Sequence, residues 1–211
     1  MQWNKYTNIA SMRNSSHMNV GKTYYAANRK QWRSWLAKNH RTEPEIWLIY
    51  YKKNSDKPRI PYNDAVEEAL CYGWIDSILK PRDEFSYLQR FSPRRKNSQL
   101  SPMNQERVRR LIKAKKMTRV GLATLQHHME PGSNGSKPST KLKRFTVPED
   151  ILQKLKSDPL VWKNFKRFPE SYKRIRTGWI DGARHRPAIF EQRLQYFLKM
   201  TAKNKMFGMV R

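Results

Sequence analysis

The sequence predicts an α+β fold, with an N-terminal module in which helices pack a small β-sheet, followed by a small C-terminal helical bundle. Residues 45–53, 74–79 and 85–91 are rich in aromatic and β-branched side chains, which is typical of strands. Residues 129–145 contain Gly, Pro, Ser and Asn without periodicity, which is typical of a linker. After residue 146, each predicted helix has a proline in its first turn, where the missing N–H breaks no helical hydrogen bond.

Ordered structure is predicted to begin at Asn28. Residues 1–27 carry Asn, Ser and Thr without an apolar period, so they are predicted to be a mobile leader. The Asn28 side chain can cap the helix that follows it, because asparagine is a preferred N-cap residue. Trp32, Trp35 and Leu36 then recur at i, i+3 and i+4 and mark one apolar helix face.

The remaining elements follow from periodicity, capping and turn chemistry. In the N-terminal module, residues 28–128, we predict a strand, a helix, a hairpin and two further helices, over residues 45–53, 62–72, 74–79 with 85–91, 102–115 and 118–128. In the C-terminal domain, residues 146–211, we predict four helices, over residues 148–156, 159–168, 169–183 and 187–205. Short antiparallel helices of this kind bury their apolar stripes against one another.

The charge of the chain favours anionic partners. There are 44 Lys and Arg against 17 Asp and Glu, a net charge of +27 that is spread through both modules. A field of this sign attracts polyanions such as nucleic acid or an anionic surface. The alternative is that the basic excess is a compositional background without a function.

The sequence also carries signals of compartment. Cys71 is the single cysteine, so no intramolecular disulfide can form and no oxidising compartment is needed. The longest apolar run, Ile46–Tyr51, is too short to span a bilayer. The polar N-terminus lacks the apolar stretch of a secretory signal, and we therefore expect a cytoplasmic location.

One predicted helix concentrates positive charge. Residues 90–119 hold eleven Lys and Arg against one acidic residue, Glu106, a net charge of +10. Within the helix over residues 102–115, four cations are predicted to lie opposite the apolar stripe of Val108, Leu111 and Ile112, namely Arg107, Arg109, Arg110 and Lys113. These four form a candidate polyanion face, and the alternative is an ordinary solvated helix face. No nucleic-acid motif of fixed spacing accompanies them, so base-specific recognition is not expected.

A second candidate anion site lies between the hairpin and this helix. It consists of five polar residues, Arg94, Arg95, Ser98, Ser101 and Asn104. Guanidinium groups, hydroxyls and the free N–H groups of a helix N-terminus could together hold an anion. The alternative is that Arg94 or Arg95 pairs internally with Asp76 or Glu67.

Four further residues are pocket candidates, His40, Glu67, Trp74 and Asp76. Acid–base chemistry could be imagined among His40, Asp76 and the two adjacent glutamates, but the sequence fixes no distance between them. Adjacent helical residues such as Glu67 and Glu68 point to different faces, so they are not a pair. The sequence has no recognisable metal-ligand spacing or nucleophile motif. We therefore expect no metal and no cofactor, and predict that the chain is not an enzyme.

Several motifs follow one another in the order of a known family. In the N-terminal half these are Trp35–His40, Ile46–Leu48 with Lys52 and Lys53, Glu67–Asp76 and Phe91–Arg95, followed by Ser98, Ser101, Asn104 and Arg107. In the C-terminal half they are Val147–Ile151, Phe165, Tyr172, Gly178–Ile180 and Ala183–Arg184. Over residues 28–208 the chain resembles the YdeI/OmpD-associated family, also described as bacteriocin-protection proteins.

The resemblance implies a YdeI-like N-terminal module and an OmpD-associated-like helical domain. It also implies a non-enzymatic accessory role in tolerance of bacteriocins or antimicrobial peptides, and it carries no catalytic residues with it. The alternative function, from charge alone, is sequence-independent binding of nucleic acid or another polyanion.

Overall fold

The computed structural model describes residues 19–96, 98–129, 142 and 144–208, and the fold class is α+β, as predicted. The chain divides into two compact units. The sheet unit holds residues 19–69 and 74–93, and the helical unit holds residues 70–73 together with the described residues from 94 onward. The predicted module boundary within residues 129–145 therefore does not coincide with the boundary between the compact units.

The sheet unit is built on four strands in the spatial order β1-β2-β4-β3. Their bounds are Thr23–Tyr25, Ile46–Tyr51, Trp74–Pro81 and Ser86–Pro93 for β1 to β4. β1 runs parallel to β2, and the other neighbours are antiparallel. The two helices of the N-terminal half are α1 (Arg29–Asn39), which provides the crossover between the parallel strands, and α2 (Tyr62–Cys71).

Strand β1 corrects the prediction of a leader over residues 1–27. Tyr24 lies opposite Leu48 of β2, so ordered structure begins before Asn28. A strand of three residues is too short to show an alternating pattern, and the pairing with β2 that forms it is not local. Residues 1–18 of the predicted leader lie outside the described residues.

Most other helices and strands are predicted correctly from local sequence signals. The Asn28 side chain accepts a hydrogen bond from the backbone N–H of Gln31, which caps α1 as predicted. Gly73 has a φ of +76°, a left-handed conformation that glycine adopts readily, and it ends α2. The hairpin strands are longer than predicted, and their register shifts at a bulge between Asp76 and Leu79.

Tryptophan side chains form the centre of the sheet unit. Trp32 stacks on Trp35 with ring centroids 5.3 Å apart, and Trp35 meets Trp74 edge to face at 5.7 Å. Both buried indole N–H groups are satisfied, because Trp32 donates to the carbonyl of Ala65 and Trp74 to that of His40. Trp32 and Trp74 are buried in the core, and Trp35 is half-buried beside them.

The helical unit contains six helices in its described part. They are α3 (Pro102–Lys113), α4 (Arg119–Thr124), α5 (Glu149–Lys156), α6 (Pro159–Arg167), α7 (Glu170–Asp181) and α8 (Pro187–Ala202). The predicted helix over residues 118–128 ends earlier, and a short 3-10 turn over Gln126–His128 follows it. Of the predicted linker, residues 130–141 and 143 lie outside the described residues, while Met129 and Leu142 pair in an antiparallel bridge.

Helix α3 belongs with the C-terminal helices because it packs on α7. Gly178 allows this close packing, since a Cβ atom there would come within 2.8 Å of the Pro102 ring. The apolar stripes of α5 to α8 meet in one core, formed by Ile151, Leu155, Val161, Phe165, Tyr172, Ile180, Leu194 and Phe197. The predicted bundle is present, and it is joined by a helix that the sequence assigned to the other module.

The sequence Gly-Trp-Ile-Asp occurs twice, at residues 73–76 and 178–181, and its two tryptophans differ in burial. They should therefore contribute differently to the free energy of unfolding. Trp74 is 1% exposed, whereas Trp179 is only partly buried beside Arg193. We expect Trp74→Ala to lower the free energy of unfolding by about 3–5 kcal/mol, and Trp179→Ala to lower it less, since a partly exposed site leaves a smaller cavity. Urea denaturation of both variants measures this. Equal losses would contradict the difference in burial.

Candidate functional site

The four pocket candidates of the sheet unit have structural partners. The His40 carbonyl accepts the indole N–H of Trp74, and the His40 ring contacts the carbonyl of Leu36 at 2.8 Å. Asp76 accepts a hydrogen bond from the Tyr62 hydroxyl at 2.6 Å. None of His40, Glu67, Trp74 and Asp76 lines the groove that α3, α6 and α7 form.

Glu67 takes part in an ion cluster that joins α1 to α2. The Arg29 guanidinium contacts the carboxylates of Asp64, Glu67 and Glu68, and Arg33 contacts Glu68 as well. Glu68 is 2% exposed, and a buried carboxylate requires such partners. Glu67 and Glu68 therefore have a structural role in this cluster.

Hydrogen bonds divide the five anion-site candidates into two groups. In the first, the buried Arg94 guanidinium donates to the carbonyls of Ser98 and Gln99 at 3.2 and 2.8 Å. The Ser98 carbonyl also contacts the imidazoles of His127 and His128. Arg95 is exposed. One guanidinium nitrogen of Arg94 is thus directed at two backbone oxygens of this loop, and Asn97 lies outside the described residues.

The second group caps α3. The Ser101 hydroxyl accepts a hydrogen bond from the Asn104 backbone N–H, and Asn104 accepts one from the Arg107 guanidinium at 2.7 Å. Arg107 is only 9% exposed, so its predicted place on the outer face of the helix is wrong. It lies four residues before Leu111, and this spacing turns both side chains to the same face.

The other members of the predicted polyanion face have different surroundings. Arg110 and Lys113 are exposed, whereas Arg109 is half-buried and directs its guanidinium to the Glu106 carboxylate at 3.2 Å. Glu106 is buried, and it also binds Arg174 of α7 through two parallel hydrogen bonds of 2.7 and 2.8 Å. These bonds raise the pKa of Arg174. Glu106 therefore holds two guanidinium groups side by side.

These guanidinium groups form part of a groove of about 730 Å³, which we call the cationic groove. Among the described residues, its wall contains five cations, Arg109, Lys113, Arg144, Lys173 and Arg174, and one carboxylate, Glu170. Its apolar residues are Ile112, Leu142, Phe145, Val147 and Phe165. The volume lies in the range of about 300–1,000 Å³ that is usual for small-molecule sites.

The cations of the groove are not equivalent. Lys173 is held by Glu170 at 2.7 Å and by the carbonyl of Lys166 at 2.9 Å, and its ammonium group lies over the Phe165 ring. Lys113 and Arg144 are exposed, and neither makes an ion pair within the described part of the chain. The groove therefore offers an anion two solvated cations beside three that are already positioned.

The sequence predicted only Arg109 and Lys113 of this groove. Arg144 lay within the predicted linker, and Lys173 and Arg174 are ordinary charges on an amphipathic helix. Glu106 and Arg174 are 68 residues apart in the sequence, and no sequence spacing predicts their contact.

The described residues contain neither a cluster suited to a metal ion nor a membrane-spanning helix. No group of three or more His, Cys, Asp and Glu side chains there is arranged to bind a metal ion. No helix of that part of the chain is both long enough and apolar enough to cross a membrane.

Comparison with known families matches two parts of the chain. Residues 144–204 match the family model described as "Bacteriocin-protection, YdeI or OmpD-Associated". The C-terminal helices therefore resemble a YdeI/OmpD-associated domain. Residues 24–124 match a different model, described as "Domain of unknown function (DUF8412)". No curated protein and no solved structure matches the chain significantly.

The resemblance seen in the sequence is thus confirmed for the YdeI/OmpD-associated domain. The N-terminal motifs that were read as YdeI-like fall within the match to the domain of unknown function. The cationic groove draws on both parts, because Arg109, Ile112 and Lys113 lie on α3, within residues 24–124. Arg144, Lys173 and Arg174 come from the part that matches the YdeI/OmpD-associated model.

The buried Glu106 carboxylate should matter more to stability than the exposed Glu170 carboxylate of the groove wall. We expect Glu106→Gln to lower the free energy of unfolding by about 1.5–3 kcal/mol, because two charge-assisted hydrogen-bond partners lose their charged acceptor. Glu170→Gln is the matched control, with a side chain that is 71% exposed, and should change stability by less than about 0.5 kcal/mol. Urea denaturation compares the two, and equal effects would show that Glu106 does not organise the groove.

Proposed function

We propose that this chain is a non-enzymatic accessory protein that binds an anionic ligand in the cationic groove. The observation that carries the proposal is the ratio of five cations to one carboxylate in the groove wall. Lys113 and Arg144 supply the contacts that remain open to an anion, while Glu106 fixes the neighbouring guanidinium groups. Binding is favoured over catalysis because the described lining contains no His, Cys, Ser or Tyr.

We further propose a role in tolerance of bacteriocins or antimicrobial peptides, as the family description suggests. The polar faces of membrane-active antimicrobial peptides are rich in Lys and Arg. A chain of net charge +27 repels such peptides, so direct capture in this groove is disfavoured. We therefore propose that the protein acts on an anionic component of the cell. A cytoplasmic location stays a prediction.

Anion binding can be measured with tripolyphosphate, a compact anion without an apolar part. By calorimetry at low salt, we expect Lys113→Gln with Arg144→Gln to weaken binding about tenfold or more, because two charged contacts are lost. The control is Lys163→Gln with Lys199→Gln, which removes the same charge from exposed sites on α6 and α8 and should change affinity less than about twofold. Equal losses in both variants would mean that diffuse charge, and not the groove, attracts the anion.

The same variants extend the test to the cell. In a strain that lacks this chain, complementation with the groove variant should not restore survival under a bacteriocin, whereas the control variant should. Survival that is restored equally by both would contradict a role of the groove in tolerance.

Sequence-independent nucleic-acid binding is the second candidate. It is favoured by the exposed Arg110 and Lys113 on α3 together with the net charge of +27. Backbone phosphates would be contacted without base recognition, and the dissociation constant at physiological salt would be about 10⁻⁴–10⁻⁶ M.

A salt titration with a fluorescent DNA duplex tests this candidate. Each neutralised phosphate contributes about −0.9 to the slope of log K against log salt, so Lys113→Gln with Arg144→Gln should reduce the slope by about two. A slope that the double variant leaves unchanged would place the DNA elsewhere on the chain. Absence of binding at low salt would rule out this function.

A further inference from the structure

The apolar half of the cationic groove is not explained by anion binding alone. Ile112, Leu142, Phe145 and Val147 are all half-buried, so each leaves apolar surface in contact with solvent. Phe165 lies at the base of the groove and is 4% exposed. A compact inorganic anion would cover none of this surface, whereas an apolar chain would remove it from water.

The cations are arranged around this apolar surface in two sets. Arg109, Arg174 and Lys173 are bound to Glu106 and Glu170 and hold one part of the wall in place. Lys113 and Arg144 are exposed and carry no ion pair among the described residues. Lys113 follows Ile112 on α3, and Arg144 precedes Phe145, so each open cation is adjacent in sequence to an apolar residue of the groove.

We infer that the groove binds a single-chain anionic amphiphile, whose acidic head group pairs with Lys113 and Arg144 and whose apolar chain covers Ile112, Val147 and Phe145. This inference rests on the proposed function and names the class of its ligand. Charge complementarity selects an acidic head, and the half-buried apolar residues select a chain. The volume of about 730 Å³ suits a small molecule between helices better than a second polypeptide.

A series of alkyl phosphates separates the head group from the chain. The full-length protein is titrated with ethyl, octyl and dodecyl phosphate, each kept monomeric, and binding is followed by calorimetry. We expect the affinity to rise about two- to fourfold for each added methylene, up to the length that the groove can cover. Lys113→Gln with Arg144→Gln should weaken all three ligands.

A second variant tests the apolar surface without disturbing the cations. Val147→Thr keeps the shape of the side chain and should reduce the gain from chain length while leaving tripolyphosphate affinity within about twofold. The control is Leu160→Thr, at an exposed leucine of α6 that lies outside the groove, and it should keep the full gain.

Each outcome decides the inference. Affinity that does not depend on chain length, with tripolyphosphate binding intact, overturns the inference and leaves the proposed function standing. If the unmodified protein binds none of these anions, both the inference and the proposed function are overturned. A chain-length effect that survives Val147→Thr and the double cation variant places the amphiphile elsewhere and overturns the inference. Binding to phosphatidylglycerol vesicles without binding to monomeric dodecyl phosphate would also overturn the inference.

Discussion

The helical unit depends on one buried carboxylate. Glu106 lies on α3 and accepts two parallel hydrogen bonds from Arg174 of α7, with a third from Arg109. A carboxylate so removed from water is tolerated only when cations surround it, so the two helices are fixed in register by its requirement for partners. The same register brings Gly178 against Pro102 and sets the wall of the cationic groove.

Much of this architecture could be predicted because its signals are local. Asn28 caps α1, Gly73 ends α2 and Ser101 with Pro102 begins α3, and each acts within one turn of its own helix. The strand at Tyr24 was missed, since its pairing with β2 is distant in sequence. Among the site residues, Lys113 was predicted as an exposed cation of α3, and it lines the groove. The lining residues outside α3 could not be predicted, because no periodicity in the sequence connects their segments to that helix.

A net charge of +27 is a poor guide to a binding surface, because many of the cations act inside the fold. Arg29 and Arg33 bind the carboxylates between α1 and α2, and Arg94 holds the carbonyls of its own loop. Arg176 is 8% exposed among aromatic rings, where burial lowers its pKa. What distinguishes the groove is therefore the few cations, such as Lys113 and Arg144, that remain open beside apolar surface.

The cationic groove is lined by residues from both matched parts of the chain. The part that matches the YdeI/OmpD-associated model, residues 144–204, supplies Arg144, Phe165 and the cations of α7. Helix α3, from the part that matches the domain of unknown function, supplies Ile112 and Lys113 together with Glu106. Without α3, Arg174 would lose its buried carboxylate partner, and the groove would lose Lys113, one of its two open cations. The lining of the groove thus comes from the two matched parts together, and neither part alone supplies it.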